Sequence, residues 1–121
     1  MSSYRDLEIY QKAFDLSIKV HKATQKLPQT EQYEIGSQLR RSTMSVKDQI
    51  AEGYGRKRYK ADFIKFLTYA QASCNETISQ LTMINELHFP ENKLNKLIES
   101  YDVLGSKINK FIQYVESNWK T

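Results

Sequence analysis

An all-α chain, folded as an antiparallel up-down-up-down four-helix bundle, is what this sequence predicts. Four segments repeat apolar residues every three or four positions. Four Gly and two Pro in 121 residues leave little material for the many turns of a β fold. The stretches joining the periodic segments are only a few residues long, which makes consecutive helices antiparallel neighbours. Residues 1–121 read as a single domain: no repeat, low-complexity tract or linker divides them. A chain of this length buries roughly two thirds of its unfolded surface, enough for a core without staples.

The first helix is expected from about Arg5 to Leu27. Leu7, Tyr10, Phe14 and Ser17 form one row beside Ile9, Ala13, Leu16 and Val20, together a stripe wide enough to face a core. Ser3 and Asp6 have capping-box spacing, and Pro28 disfavours helix at Leu27. The second helix is expected from about Glu31 to Glu52, with Thr30 as its N-cap. Its stripe of Ile35, Leu39, Thr43, Val46 and Ile50 is narrow and partly polar. Gly53 follows the last apolar turn and is placed to close the helix in the left-handed conformation, leaving Gly53–Arg56 as a short loop. The third helix runs from about Tyr59 to His88 through Phe63, Phe66, Leu67, Ala70, Cys74, Ile78, Leu81 and Ile84. The fourth opens at Pro90, which a first turn accepts, and continues through Leu94, Tyr101, Leu104 and Ile112 to about Trp119.

Several chemistries find no support in the residues. Di-metal bundles need Glu-x-x-His pairs, but Ile18 and Asn85 stand three positions before His21 and His88. One Cys and two distant His give no zinc spacing, so neither a metal nor another cofactor is expected. Gly53-Tyr54-Gly55 lacks the rest of any phosphate-binding loop motif, and no catalytic constellation is present. Cys74 falls in the apolar row of the third helix and reads as a small buried hydrophobe. A lone Cys excludes an internal disulfide, and the first residues lack the apolar core of a secretory signal. No run approaches the ~18 apolar residues of a membrane span. A reducing cytoplasm is the expected setting, with no membrane partner.

Charge is the unusual feature. Between Gly36 and Lys65, eight bases (Arg40, Arg41, Lys47, Arg56, Lys57, Arg58, Lys60 and Lys65) face three acids (Asp48, Glu52 and Asp62), a net +5, while the remaining ten bases and eleven acids give −1. Such a concentration attracts polyanions; the other reading is a solvated helix face joined to a charged loop. Helical spacing sets Arg40 and Lys47 together at one edge of the second core row, and turns Arg41 toward Asp48 and Glu52, which partly neutralise it. Arg40 and Lys47 are therefore the better ligand or interface candidates of that helix, and Arg41 the weaker one. Tyr54 and Tyr59 interleave with Arg56, Lys57, Arg58 and Lys60. Phosphates want cations and unpaired bases want aromatic faces, so the two tyrosines are candidate stacking platforms.

Certain runs are more specific in combination than singly: Asp6-Leu7-x-Ile9-Tyr10-Gln11-Lys12-Ala13, Ser37-Gln38-Leu39-Arg40-Arg41-Ser42, Ile50-Ala51-Glu52-Gly53-Tyr54-Gly55-Arg56, Phe63-Ile64-x-Phe66-Leu67 and Ala70-x-Ala72-Ser73-x-x-Glu76. Over about residues 4 to 90 the chain resembles the small four-helix-bundle proteins encoded in intervening sequences of bacterial 23S rRNA genes. That family also includes the accessory variability protein of diversity-generating retroelements. The resemblance implies a non-enzymatic bundle assembled as a homopentamer, with a positive surface that binds nucleic acid; with the local +5, structured RNA or an RNA/DNA hybrid is the expected ligand. It also implies, as an alternative, a scaffold that docks a protein such as a reverse transcriptase. Arg40, Arg41 and Arg56 match the family's basic positions. Gln49 stands where the family usually has Asn, Ala72 where it has Gly, and Arg58-Tyr59-Lys60 where it often has Ser or Thr.

Overall fold

Ser3 opens the first turn with the reciprocal cap expected of it. Its N–H donates to Asp6 Oδ2 (2.9 Å) while its Oγ accepts from the N–H of Arg5 (3.2 Å). The computed structural model describes residues 2–120. A 3-10 turn over Tyr4–Asp6 leads into α1 (Glu8–Thr24), a short α2 (Gln29–Tyr33), α3 (Ile35–Gly55), α4 (Lys60–His88), a second 3-10 turn (Pro90–Asn92) and α5 (Asn95–Asn118).

The four long helices are those the periodicity predicts, and pairs of contacts fix their directions. Thr24 of α1 meets Arg40 of α3, and Ser2, in the segment leading into α1, meets Tyr54 near the other end of α3. Ser42 bonds Gln80 while Ser45 bonds Ser73 across α3 and α4. Asn85 bonds Asn95 while Cys74 reaches the carbonyl of Tyr101 across α4 and α5. In each pair one residue number rises as the other falls, so every neighbour is antiparallel. Lys107 to Glu8 (2.9 Å) closes the ring between α5 and α1.

Most helix boundaries differ from the sequence expectation for local reasons. The first helix stops at Thr24, short of Pro28, as the chain tightens into a turn closed by Leu27 N–H to Thr24 O. Thr30 is not an N-cap: it lies inside α2, and a break at Glu34 (φ −92°, ψ −90°) separates α2 from α3. Pro90 does not open the last helix. Glu91 and Asn92 have φ of 70° and 57°, a conformation that cannot propagate a right-handed helix, so α5 begins at Asn95. Gly53 is not a left-handed cap either. No glycine among the described residues has positive φ, and α3 runs on through Gly55.

One core links all four long helices. Ile9, Ala13, Leu16 and Val20 of α1 meet Leu39, Val46 and Ile50 of α3, Phe63, Leu67, Ala70, Cys74 and Leu81 of α4, and Tyr101, Leu104 and Ile108 of α5. Each Val, Leu, Ile or Phe among them contributes about 1.5–3 kcal/mol when withdrawn from water. Phe14, expected in the α1 stripe, turns outward and is 43% exposed. The partly polar stripe of α3 is explained by hydroxyls bonded within the bundle: Thr43 Oγ1 to Arg40 O, and Ser42 Oγ to Gln80 Oε1. Cys74 is fully buried, with Sγ donating to Tyr101 O (3.3 Å). Burial pushes its thiol up to about 11. Among the described residues no helix is long and apolar enough to cross a membrane.

Candidate nucleic-acid interface

Gly53 decides where the basic segment sits. A Cβ there would lie 3.0 Å from Phe66 Cβ, so hydrogen in its place is what lets α3 and α4 close at this end of the bundle. Beyond Gly55 the chain turns through Arg56–Tyr59, held by Arg56 N–H to Gly53 O (3.0 Å) and Tyr59 N–H to Arg56 O (2.8 Å). Trp119, at the C-terminal end of α5, packs edge-on to Phe63 and donates Nε1–H to Lys57 O (2.9 Å). The turn is thus pinned from beneath. α4 opens at Lys60 without a side-chain cap, so its first N–H groups add partial positive charge to this end.

The eight cations do not form one surface. Arg40 is a clamp rather than a free charge: Nη1 donates to Thr24 Oγ1 (3.0 Å) and Nη2 to Gln32 O (2.9 Å), tying the α1–α2 turn to α3. Lys47 pairs with Asp48 at 2.7 Å, and its side chain is only 14% exposed. Neither is therefore free to be the better ligand or interface candidate expected on this helix. The core edge they occupy packs against α1, so both are drawn in. Arg41 is the exposed one; its Nη1 donates to Ser37 Oγ (2.7 Å), while its supposed neutralisers Asp48 and Glu52 are engaged by Lys47 and Arg56. Arg41 lies fourteen residues before the end of α3, about 21 Å along the axis, more than two screening lengths from the turn at physiological salt.

At the turn itself the cations differ. Arg56 meets Glu52 (Nε to Oε2, 3.4 Å) and Asp62 (Nη1 to Oδ2, 3.9 Å), and lies over the Phe66 ring at 4.7 Å. Lys57 lies over the Tyr54 ring at 4.0 Å. Arg58, Lys60 and Lys65 have no acid within ion-pair distance among the described residues, nor has Lys57. Of the two candidate platforms, Tyr54 is corrected: it is buried, its hydroxyl donating to Ser2 Oγ (2.6 Å), and the Lys57 ammonium beside it holds its phenol below the ordinary value. No base reaches that ring. Tyr59 is 62% exposed.

Trp119, Thr24 and Gln32 contribute to this geometry without any signal in the sequence, because each acts across a fold-dependent contact. Among the described residues no cluster of three or more His, Cys, Asp or Glu is placed to hold a metal. His88 Nε2 instead meets Glu31 Oε2 (3.0 Å), joining α4 to α2. His21 is partly buried beside Arg40 and Lys47.

The family described as 23S rRNA-intervening sequence protein matches residues 5–110. The chain belongs to that family. The match extends beyond the resemblance noted above, through most of α5. A crystal structure of a protein of unknown function from the S23 ribosomal protein family of Bacteroides thetaiotaomicron is similar over 91% of this chain and 99% of its own length, with 23% identity and a TM-score of 0.67. That likeness concerns the fold alone. No curated protein matches the chain significantly.

Proposed function

We propose that this family member is a non-enzymatic nucleic-acid-binding protein that engages RNA, or an RNA/DNA hybrid, through the basic turn between α3 and α4. The observation that carries this reading is a set of four cations, Lys57, Arg58, Lys60 and Lys65, none matched by an acid among the described residues. Elsewhere on α3 the cations are consumed by the fold or isolated. Phosphate contacts of this kind hold a backbone with little base readout. Titrating RNA binding against salt tests it. Three or four neutralised phosphates give a log–log slope of magnitude about 2 to 3, and a slope near zero refutes the reading. Arg58→Glu with Lys60→Glu weakens binding; Arg40→Ala leaves it unchanged.

The assembled form is proposed to be a homo-oligomer, a pentamer by family resemblance. Phe14 and Ile18, one turn apart on α1, are 43% and 42% exposed, which favours burial against another chain. The same pair supports a second reading, a scaffold docking a protein partner. Light scattering separates a species of five times the 14.2 kDa chain mass from a monomer. A protein captured from the native host that survives nuclease favours the scaffold.

A further inference from the structure

Tyr59 is the aromatic side chain of the turn that the fold leaves uncovered. Tyr54 lies buried beneath Lys57, Phe66 carries Arg56, and Trp119 packs on Phe63 and Tyr114. Tyr59 pairs with no ring among the described residues and is 62% exposed, with the Arg58 guanidinium 5.9 Å from its centre. Its backbone is fixed on both sides, by its own N–H to Arg56 O and by its carbonyl accepting from Phe63 N–H (3.0 Å). The ring is therefore held out from a braced support between two unpaired cations.

Resting on the nucleic-acid reading above, we propose that this turn takes an unpaired nucleic-acid strand, one base lying on Tyr59 and the flanking phosphates on Lys57, Arg58 and Lys60. Two physical arguments favour an unpaired strand over a duplex. A duplex offers phosphates and base edges but keeps its base faces stacked, so an exposed ring gains nothing from it. The three cations also fall within four consecutive residues, at most about 11 Å of chain, a span of two or three phosphates rather than the roughly 16 base pairs that duplex-binding modules cover. Arg58 beside the ring adds a cation for the phosphate next to the stacked base, and its guanidinium plane is itself a stacking surface.

Trp119 supplies a reporter. It is the chain's sole tryptophan, and its indole N–H is bonded to the carbonyl of Lys57 inside the proposed site. Oligouridylate and an RNA hairpin duplex of equal charge are titrated into the full chain, following Trp119 emission and the anisotropy of labelled RNA. For oligouridylate the two signals saturate together, with a salt slope of magnitude about 2 for three phosphates on a single strand. Tyr59→Ala weakens oligouridylate binding at least about fivefold and the duplex less than about twofold, while Tyr59→Phe stays close to the parent protein. Thermal unfolding is followed in parallel and stays unchanged for both variants, since the ring is outside the core. Unchanged oligouridylate binding by Tyr59→Ala, or an equal loss on both RNAs, overturns the stacking site while salt-dependent binding survives. If the parent protein binds neither RNA, or binds polyglutamate as tightly as oligouridylate, the nucleic-acid reading falls with it.

Discussion

Replacing Gly53 and Gly55 by alanine, one at a time, separates two roles that glycine plays within three residues. An Ala in a helix gains about 1 kcal/mol over Gly from propensity alone. At Gly53 the new Cβ meets Phe66 Cβ at 3.0 Å and Phe63 Cδ1 and O at 3.4 Å. The Phe66 Cβ is rigidly attached to α4, and Phe63 is fully buried between Tyr54, Phe111 and Trp119, so neither moves without dragging the helix or the ring cluster. Overpacking of that kind costs about 1–3 kcal/mol, which leaves Gly53→Ala destabilised by about 1 kcal/mol after the propensity gain. At Gly55 nothing lies within 4 Å of the added methyl, and the helical φ suits alanine. Gly55→Ala is therefore stabilised, by about 0.5 kcal/mol at this helix end. Urea denaturation of the three proteins, with unchanged m values, reads the order directly. If Gly53→Ala proves as stable as Gly55→Ala, the α3–α4 approach has slack and the account of how the basic turn is braced is wrong.

Arg40→Ala is expected to lose about 2 kcal/mol, because the Gln32 carbonyl and Thr24 hydroxyl lose a charged donor; an undiminished urea midpoint would show that the clamp is idle. Cys74, fully buried with its thiol pushed up to about 11, is expected to react with Ellman's reagent at pH 8 only as fast as the bundle opens. Rapid labelling without denaturant contradicts the core described above. His21 is held below its ordinary value of 6.5 by burial and by the nearby Arg40 and Lys47. Below that pH the unfolded chain binds more protons than the folded one, so this group's stabilisation is complete above about 6.5 and declines as pH falls toward the folded value. Melting temperatures between pH 7.5 and 5.5 are expected to fall less steeply for His21→Gln; identical slopes would remove His21 from the account.

Much of the bundle is legible in the residues because a helix advertises its buried face at fixed spacing. Leu39, Val46 and Ile50, or Phe63, Leu67, Ala70 and Cys74, announce their common face without reference to any partner. The ends are less legible. Glu91 and Asn92 adopt positive φ that no local rule assigns to Glu, and α2 breaks from α3 at Glu34 within an unbroken helical pattern. Gly53 carries the usual signature of a helix stop, yet serves a close approach between helices, and only a second helix can reveal that.

Helix content, the up-down order of the long helices, the burial of Cys74 and the basic stretch from Gly36 to Lys65 all follow from local periodicity and charge, which the chain carries before it folds. Which of those charges are free was settled by packing. Arg40 is spent on a carbonyl and a hydroxyl, Lys47 and Arg56 on acids, and Tyr54 on the interior, while Arg58, Tyr59 and Lys65 face outward. A side chain's partners come from helices distant in sequence, and their distances exist only once the four helices have closed on one another.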